Sequence, residues 1–470
     1  MIQFKTISSA RRKPGVPLEF NLKAGRNSLP GNTQKVLFVA QKTSSGSAPV
    51  NVPVQVYSEG DARAKFGAGS LAAIMCLRAL SANKYLKELY VLPLADAASS
   101  AEAVGSFAIT GPATATGTRT FRVGATPVQI NYAAGDTAAE IAANLKAALD
   151  NLPDLPVTAT INSGTVTLTA KNKGTVGNSI VLSADPNADG VSVAVTAMTG
   201  GATDPVLATA LAIVTGERYH LIGVPYNDAT SLAALGAHCE AVSSSSSEKW
   251  GSGVFAYGIG SLSAACTLGG TLNSWRLSGF YLRGSASAPF EQAAQYAAVL
   301  AAEADPARPM DTVVLPDIAA PAIADRLSDD EQESCLYNGV TPGEVATDGT
   351  VQIVRAITTC VKDEAGNADA TLLDITTPRS MDYVAESVLA RIRAVFPRAK
   401  RVAGKTSKAV KTELLAVLQQ LEAAEVVQNV AANRPDAYDD PDNVSRIIMD
   451  IPSEVVPGAH IIAGQISLVL

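Results

Sequence analysis

Histidine, cysteine and clustered carboxylates are the side chains through which this 470-residue chain would do chemistry, and they are few and dispersed. The three histidines, His220, His238 and His460, lack the short spacing at which imidazoles share a zinc ion. Five cysteines (Cys76, Cys239, Cys266, Cys335 and Cys360) form no Cys-x-x-Cys pair. Neither a metal knuckle nor a disulfide framework is therefore expected, and a reducing compartment is implied. There is no Gly-x-Ser-x-Gly nucleophile elbow and no Walker phosphate loop. Gly67-Ala68-Gly69 and Gly258-Ile259-Gly260 are fragments of a dinucleotide pattern. Asp329-Asp330-Glu331 and the stretch 436–442 carry enough charge to attract calcium, but not the alternating ligand spacing of a calcium loop. The expectation is a protein that is not an enzyme, with no catalytic residue, no metal and no cofactor. His220, in a strand, and His460, near the end, read as structural.

The elements around these residues explain more. Apolar residues make up 47% and charged residues 17%, which fits a folded protein with extensive buried surface in two to four domains. Aromatics are only 5%, so the cores must be built from Ala, Val, Leu and Ile. A surface poor in charge suits a subunit covered by its neighbours. The net charge of −7 provides no chain-wide basic field for DNA, and Arg11-Arg12-Lys13 and the cluster 398–401 read as solvated charges. The first residues lack an apolar signal core, and runs such as 206–214 are too short to span a bilayer. The chain reads as a soluble product of the cytosol, without direct nucleic-acid binding or membrane insertion.

Patterning along the chain predicts a mixed α/β core with an inserted β-rich domain and a C-terminal α+β domain. Residues 35–41 form a continuous apolar run of the buried-strand kind. Ser70 caps a predicted helix over 71–82, and 89–94 is the next strand, so a parallel βαβ crossover is expected. From 96 to 204 the chain becomes rich in Thr, Gly, Ala and Val in short alternating segments, with one helix announced by Thr137 and Glu140. This stretch reads as an insertion in a core made of 27–95 and 205–402. Strands are predicted at 254–258, 276–281, 312–315 and 352–358, and a helix over 382–396. A C-terminal domain over 403–458 holds a helix over 407–429 and a strand over 445–451.

Both ends of the chain look like strands. Ile2, Phe4 and Thr6 alternate in an N-terminal arm over 1–26, and Ile461, Ile462, Ile466, Leu468 and Leu470 make the last segment, 459–470, almost wholly apolar. Such ends must pair either inside their own fold or on the sheet edge of a neighbour. Each backbone hydrogen bond nets about 0.5–1.5 kcal/mol, so one lent strand would contribute roughly 3–8 kcal/mol to a junction.

Several motifs, in order, resemble the contractile phage tail sheath proteins, most of all the sheaths of Mu-like phages. They are Phe66-Gly67-Ala68-Gly69-Ser70 with its helix, Tyr90-Val91-Leu92-Pro93, Leu336-Tyr337-Asn338-Gly339-Val340 followed by Gly349, Arg355 and Thr358, and the C-terminal helix, loop and terminal strand. The β-rich stretch, with 164–170 and 174–178, is similar to insertions common in phage tail proteins. The resemblance implies a structural subunit of the virion, made in the host cytoplasm. Subunits would stack in six-fold rings around a tail tube, with terminal strands completing the C-terminal sheets of neighbours. Partners would be other copies of the chain, the tube, the baseplate and the tail terminator. The insertion would face outward, and Lys408 and Lys411 would be candidate tube contacts. Three readings stay open beside this one: the sheath of a headless injection machine, an α/β enzyme with a β-rich binding insertion, and a host-binding tail protein.

Overall fold

The computed structural model describes residues 12–16, 29–258 and 260–468. The predicted N-terminal strand residues Ile2, Phe4 and Thr6, and Leu470 at the other end, lie outside the described residues. Two compact units are formed: Thr33–Arg379 with the tail from Pro457, and Ser380–Val456 with the described residues before Thr33.

The larger unit is organised by a nine-stranded sheet. An interior strand, Val36–Gln41, is buried along its whole length, as a parallel strand covered on both faces must be. Leu89–Leu94 pairs with it in parallel register from Val36↔Leu89 to Gln41↔Leu94, which is the predicted crossover. On its other side follow Leu221–Gly223, Ser252–Ala256, Leu277–Tyr281 and Thr341–Val345, all parallel. Both edges are antiparallel: Val54–Val56 at one, Val351–Ile353 and Val314–Leu315 at the other. Helices cover both faces. Gly223, level with Phe38, leaves room for the Phe38 ring on the face covered by Ala297 of helix Pro289–Ala302, while Gly253, one step along and on the opposite face, meets Leu235 of helix Ala229–Val242. Helix Leu71–Ala82 packs against Pro289–Ala302, and the Ser70 side chain caps it by accepting the Ala73 N–H. The predicted strand over 352–358 is real only as Val351–Ile353. Beyond it the backbone turns to other partners: the Ile357 N–H donates to Thr341 Oγ1 and that of Thr358 to the Leu373 carbonyl.

The strands between residues 104 and 199 pair only with one another, in a four-stranded and a three-stranded antiparallel sheet. Helix Ala138–Asp150 carries the predicted capping box, with Thr137 and Glu140 each binding the other's backbone N–H. The excursion leaves and returns side by side, since Val104–Thr110 pairs with Ser192–Thr199 and Ala101 bridges Ala202.

The smaller unit starts earlier than the sequence suggests, with the division at Arg379/Ser380 and not at residue 403. Helix Thr376–Val395 sends Val384 and Val388 into a core with Val410, Leu414, Val417, Leu418 and Leu421 of helix Thr406–Ala423. That second helix stops short of 429 because Glu425 turns to a φ of 58° and the Val426 N–H returns to the Leu421 carbonyl. Two ladders follow, each of only two strands: Val427–Gln428 with Glu454–Val455, and Asp436–Asp439 with Ile447–Asp450.

Candidate interaction surfaces at the chain end and in the C-terminal unit

The residues that could do chemistry are held by the architecture. His220 precedes strand Leu221–Gly223, and its Nδ1 accepts the Lys35 backbone N–H at 3.0 Å. Burial, with Arg218, Lys35 and Arg379 nearby, pushes its pKa down to about 3, so the ring is neutral. Burial also lowers His238. Burial raises the Cys76 thiol and takes Cys335 up to about 12, which suppresses the thiolate that a nucleophile needs. The Gly67-Ala68-Gly69 pattern is a turn with both glycines at positive φ, and Ser261 after the second pattern caps helix Leu262–Leu272. The acidic clusters are committed as well. Glu331 takes the Arg283 guanidinium at 2.6 Å and closes a capping box with Ser328, while Asp436, Asp439 and Asp440 pair with Lys411, Arg401 and Arg446. Among the described residues, no group of His, Cys, Asp and Glu is arranged to hold a metal ion, and no helix is long and apolar enough to cross a membrane.

The C-terminal tail behaves differently. Every residue from 461 to 468 is exposed and lies outside the strands of this chain. Ile462 and Ile466 are 93% and 101% exposed, with Ile461 and Leu468 close behind. Burying such a side chain yields about 1.5–3 kcal/mol, so the four together hold roughly 6–12 kcal/mol in reserve for a partner. The tail is not loose at its start, because the His460 ring is largely enclosed and touches Asp311 and Asp374.

Within the smaller unit, the two ladders are short of strands. A two-stranded ladder is marginal in water and gains from a further strand on its open edge. Beside the second ladder a groove of about 240 Å³ is lined by Ile392, Phe396, Val410, Ile447 and Met449. Tyr438 and Val444 add exposed apolar surface. Of the two predicted tube-contacting lysines on helix Thr406–Ala423, Lys411 is engaged by Asp436 at 2.9 Å, while Lys408 is exposed.

The motif stretch around Gly339 is scaffolding within the larger unit. Gly339 has a φ of 73°, and a Cβ there would lie 2.7 Å from the Thr359 carbonyl oxygen. Arg355 pairs with Asp374 at 3.3 Å, and the Thr358 hydroxyl donates to the Leu372 carbonyl at 2.7 Å.

Residues 200–359 match the family profile of the phage tail sheath protein central domain, and residues 367–468 that of the phage tail sheath C-terminal domain. Over 451 residues, 91% of both chains, the sequence is 31% identical to the Mu-like prophage FluMu tail sheath protein of Haemophilus influenzae. The chain belongs to the phage tail sheath family. Solved sheath structures share the fold at low sequence identity. The sheath tail protein of Listeria innocua matches with a TM-score of 0.52 at 14% identity, covering 92% of this chain and 94% of that one. The sheath tail protein of Desulfitobacterium hafniense gives 0.53 at 12%, over 95% and 97%. The helical sheath of the anti-feeding prophage in its contracted state gives 0.53 at 14%, over 98% and 99%. This sheath protein is thus a structural component of a phage tail.

Proposed function

We propose that this sheath subunit polymerises by lending its ends to neighbours: the segment 461–470, and the N-terminal arm, add strands to the open ladders of adjacent C-terminal units. Stacked six-fold rings would then surround the tail tube as one hydrogen-bonded mesh. On a signal from the baseplate the subunits would shift outward while the mesh held, driving the tube through the host envelope. Helix Thr406–Ala423 would face the tube, with Lys408 as its free contact. The tail terminator would close the far end, and assembly would take place in the host cytoplasm.

The observation that carries this reading is the pairing of opposites within one sequence: an apolar tail with every residue from 461 to 468 exposed, and ladders of only two strands. Surface of that kind on a folded chain marks an interaction site. Removal of 461–470 tests it. The truncated protein should keep the unfolding midpoint of the full chain but sediment as monomer, with no tubes or sheaths in electron micrographs. Tubes from truncated protein, as long and as abundant as those from the full chain, would refute it.

A further inference from the structure

The C-terminal arm is held at its root by an ion cluster that strand lending alone does not require. His460 stands immediately before the continuous exposed run that begins at Ile461. Its Nδ1 lies 2.6 Å from Asp311 Oδ2. Its Nε2 lies against Asp374 Oδ2, off the axis of a hydrogen bond. Asp374 is itself fixed: its other oxygen accepts from the Thr376 N–H and hydroxyl at 2.9 and 2.8 Å at the start of helix Thr376–Val395, and Arg355 approaches Oδ2. Gly458 makes room for the ring, since a Cβ there would lie 2.6 Å from His460 Nε2 and 2.8 Å from Pro309.

The charges decide what the cluster needs. The hydrogen bonds and ion pairs of the ring reach Asp311, Asp374 and, through Asp374, Arg355. Two carboxylates against one guanidinium leave one negative charge over, and Asp311 Oδ1 is buried without a partner. Only the doubly protonated imidazole is attracted to both carboxylates, its Nδ1–H bonding Asp311 and its positive charge facing Asp374; a neutral ring turns a lone pair towards one of them.

We propose that His460 is a positioning residue, a protonation-dependent clamp that fixes the point where the arm leaves its own subunit. Asp311 and Asp374 are its jaws, and Arg355 balances the second. On the acid side the clamp is closed. Without the charge of the ring its attraction to the two carboxylates is lost, and the arm departs from further back along the chain. The proposal rests on the reading of 461–470 as a lent arm, because a strand that transmits load between subunits needs a defined root.

The test uses the full-length, unassembled chain and a protease that cuts before Ile and Leu. Cleavage at Ile461 and Ile462 is timed for the wild type, His460→Gln and Asp311→Asn at about pH 5.5 and about pH 8.5. The ratio of variant to wild-type rate cancels the pH profile of the protease. It should be roughly fivefold or more at the acid pH, the scale of one charge-assisted bond, and fall towards one at the alkaline pH. A ratio equal at the two pH values, whether near one or above it, would overturn the clamp and leave His460 as packing. Asp311→Asn keeps the ring in place and carries the test if His460→Gln does not fold. Because no polymer is involved, a failed clamp leaves strand lending untouched, and a truncated chain that still forms tubes is recognised separately.

Discussion

His220 accepts a backbone N–H from Lys35 and is kept neutral by burial and the cations around it, with a pKa near 3 in the fold. An unfolded histidine takes up its proton near pH 6.5. The folded value lies below the unfolded one, so this contribution is complete above about pH 6.5 and is lost as the pH falls towards 3. The denaturation midpoint of the wild type should therefore drop more steeply between pH 7 and about 4.5 than that of His220→Asn, by the equivalent of about 2 kcal/mol. Parallel midpoints would mean that the ring is protonated in the fold. Gly339 makes a second case. With its φ of 73° and a would-be Cβ 2.7 Å from the Thr359 carbonyl oxygen, Gly339→Ala should cost about 2 kcal/mol or more in chemical denaturation. A change below about 0.5 kcal/mol would show that the backbone there relaxes freely.

Among the elements, those set by local chemistry were legible in the sequence. Ser70 and the apolar spacing behind it define helix Leu71–Ala82, Thr137 and Glu140 define the start of Ala138–Asp150, and the run from Val36 to Gln41 reads as a strand buried on both faces. Short or charged elements were not legible. Val54–Val56 has too few residues to show a period, and Glu59–Phe66 places its charges on nearly every side. The end of helix Thr406–Ala423 was missed because a glutamate, not a glycine, takes the positive φ beyond it. The surroundings of His460 were hidden for another reason: Asp311 is 149 residues away, and nothing local connects them. Two predictions belong to this scale. Leu414, fully buried between the helices of the smaller unit, should cost about 2–5 kcal/mol as Leu414→Ala and lower the yield of polymer with it. Ile462→Asp with Ile466→Asp should do the reverse, leaving the denaturation midpoint of the monomer in place while raising the protein concentration needed for assembly at least about tenfold. If the double variant assembled at the wild-type concentration, the apolar tail would have no part in the junction.

For the molecule as a whole, the nine-stranded sheet, the two smaller sheets of residues 104–199 and the strand-poor C-terminal unit divide the work. The large sheet has its apolar faces covered by its own helices and makes a rigid body. The C-terminal unit and the tail leave surface and backbone that the described residues of one copy do not cover. A contractile polymer needs that combination, since rigid bodies can reorient without dissociating only if the links between them are both strong and extended. The proposed strand lending would meet the need, because its hydrogen bonds would lie along the backbone and survive rotation of the bodies they join. Amide hydrogen exchange over residues 461–468, compared between unassembled chain and assembled sheath, is the most direct measurement of this claim. Lent strands would exchange at near-random-coil rates in the free subunit and slow by orders of magnitude in the sheath. Exchange just as fast in the sheath would mean that these residues pair with nothing, and that the subunits are held together by some other surface.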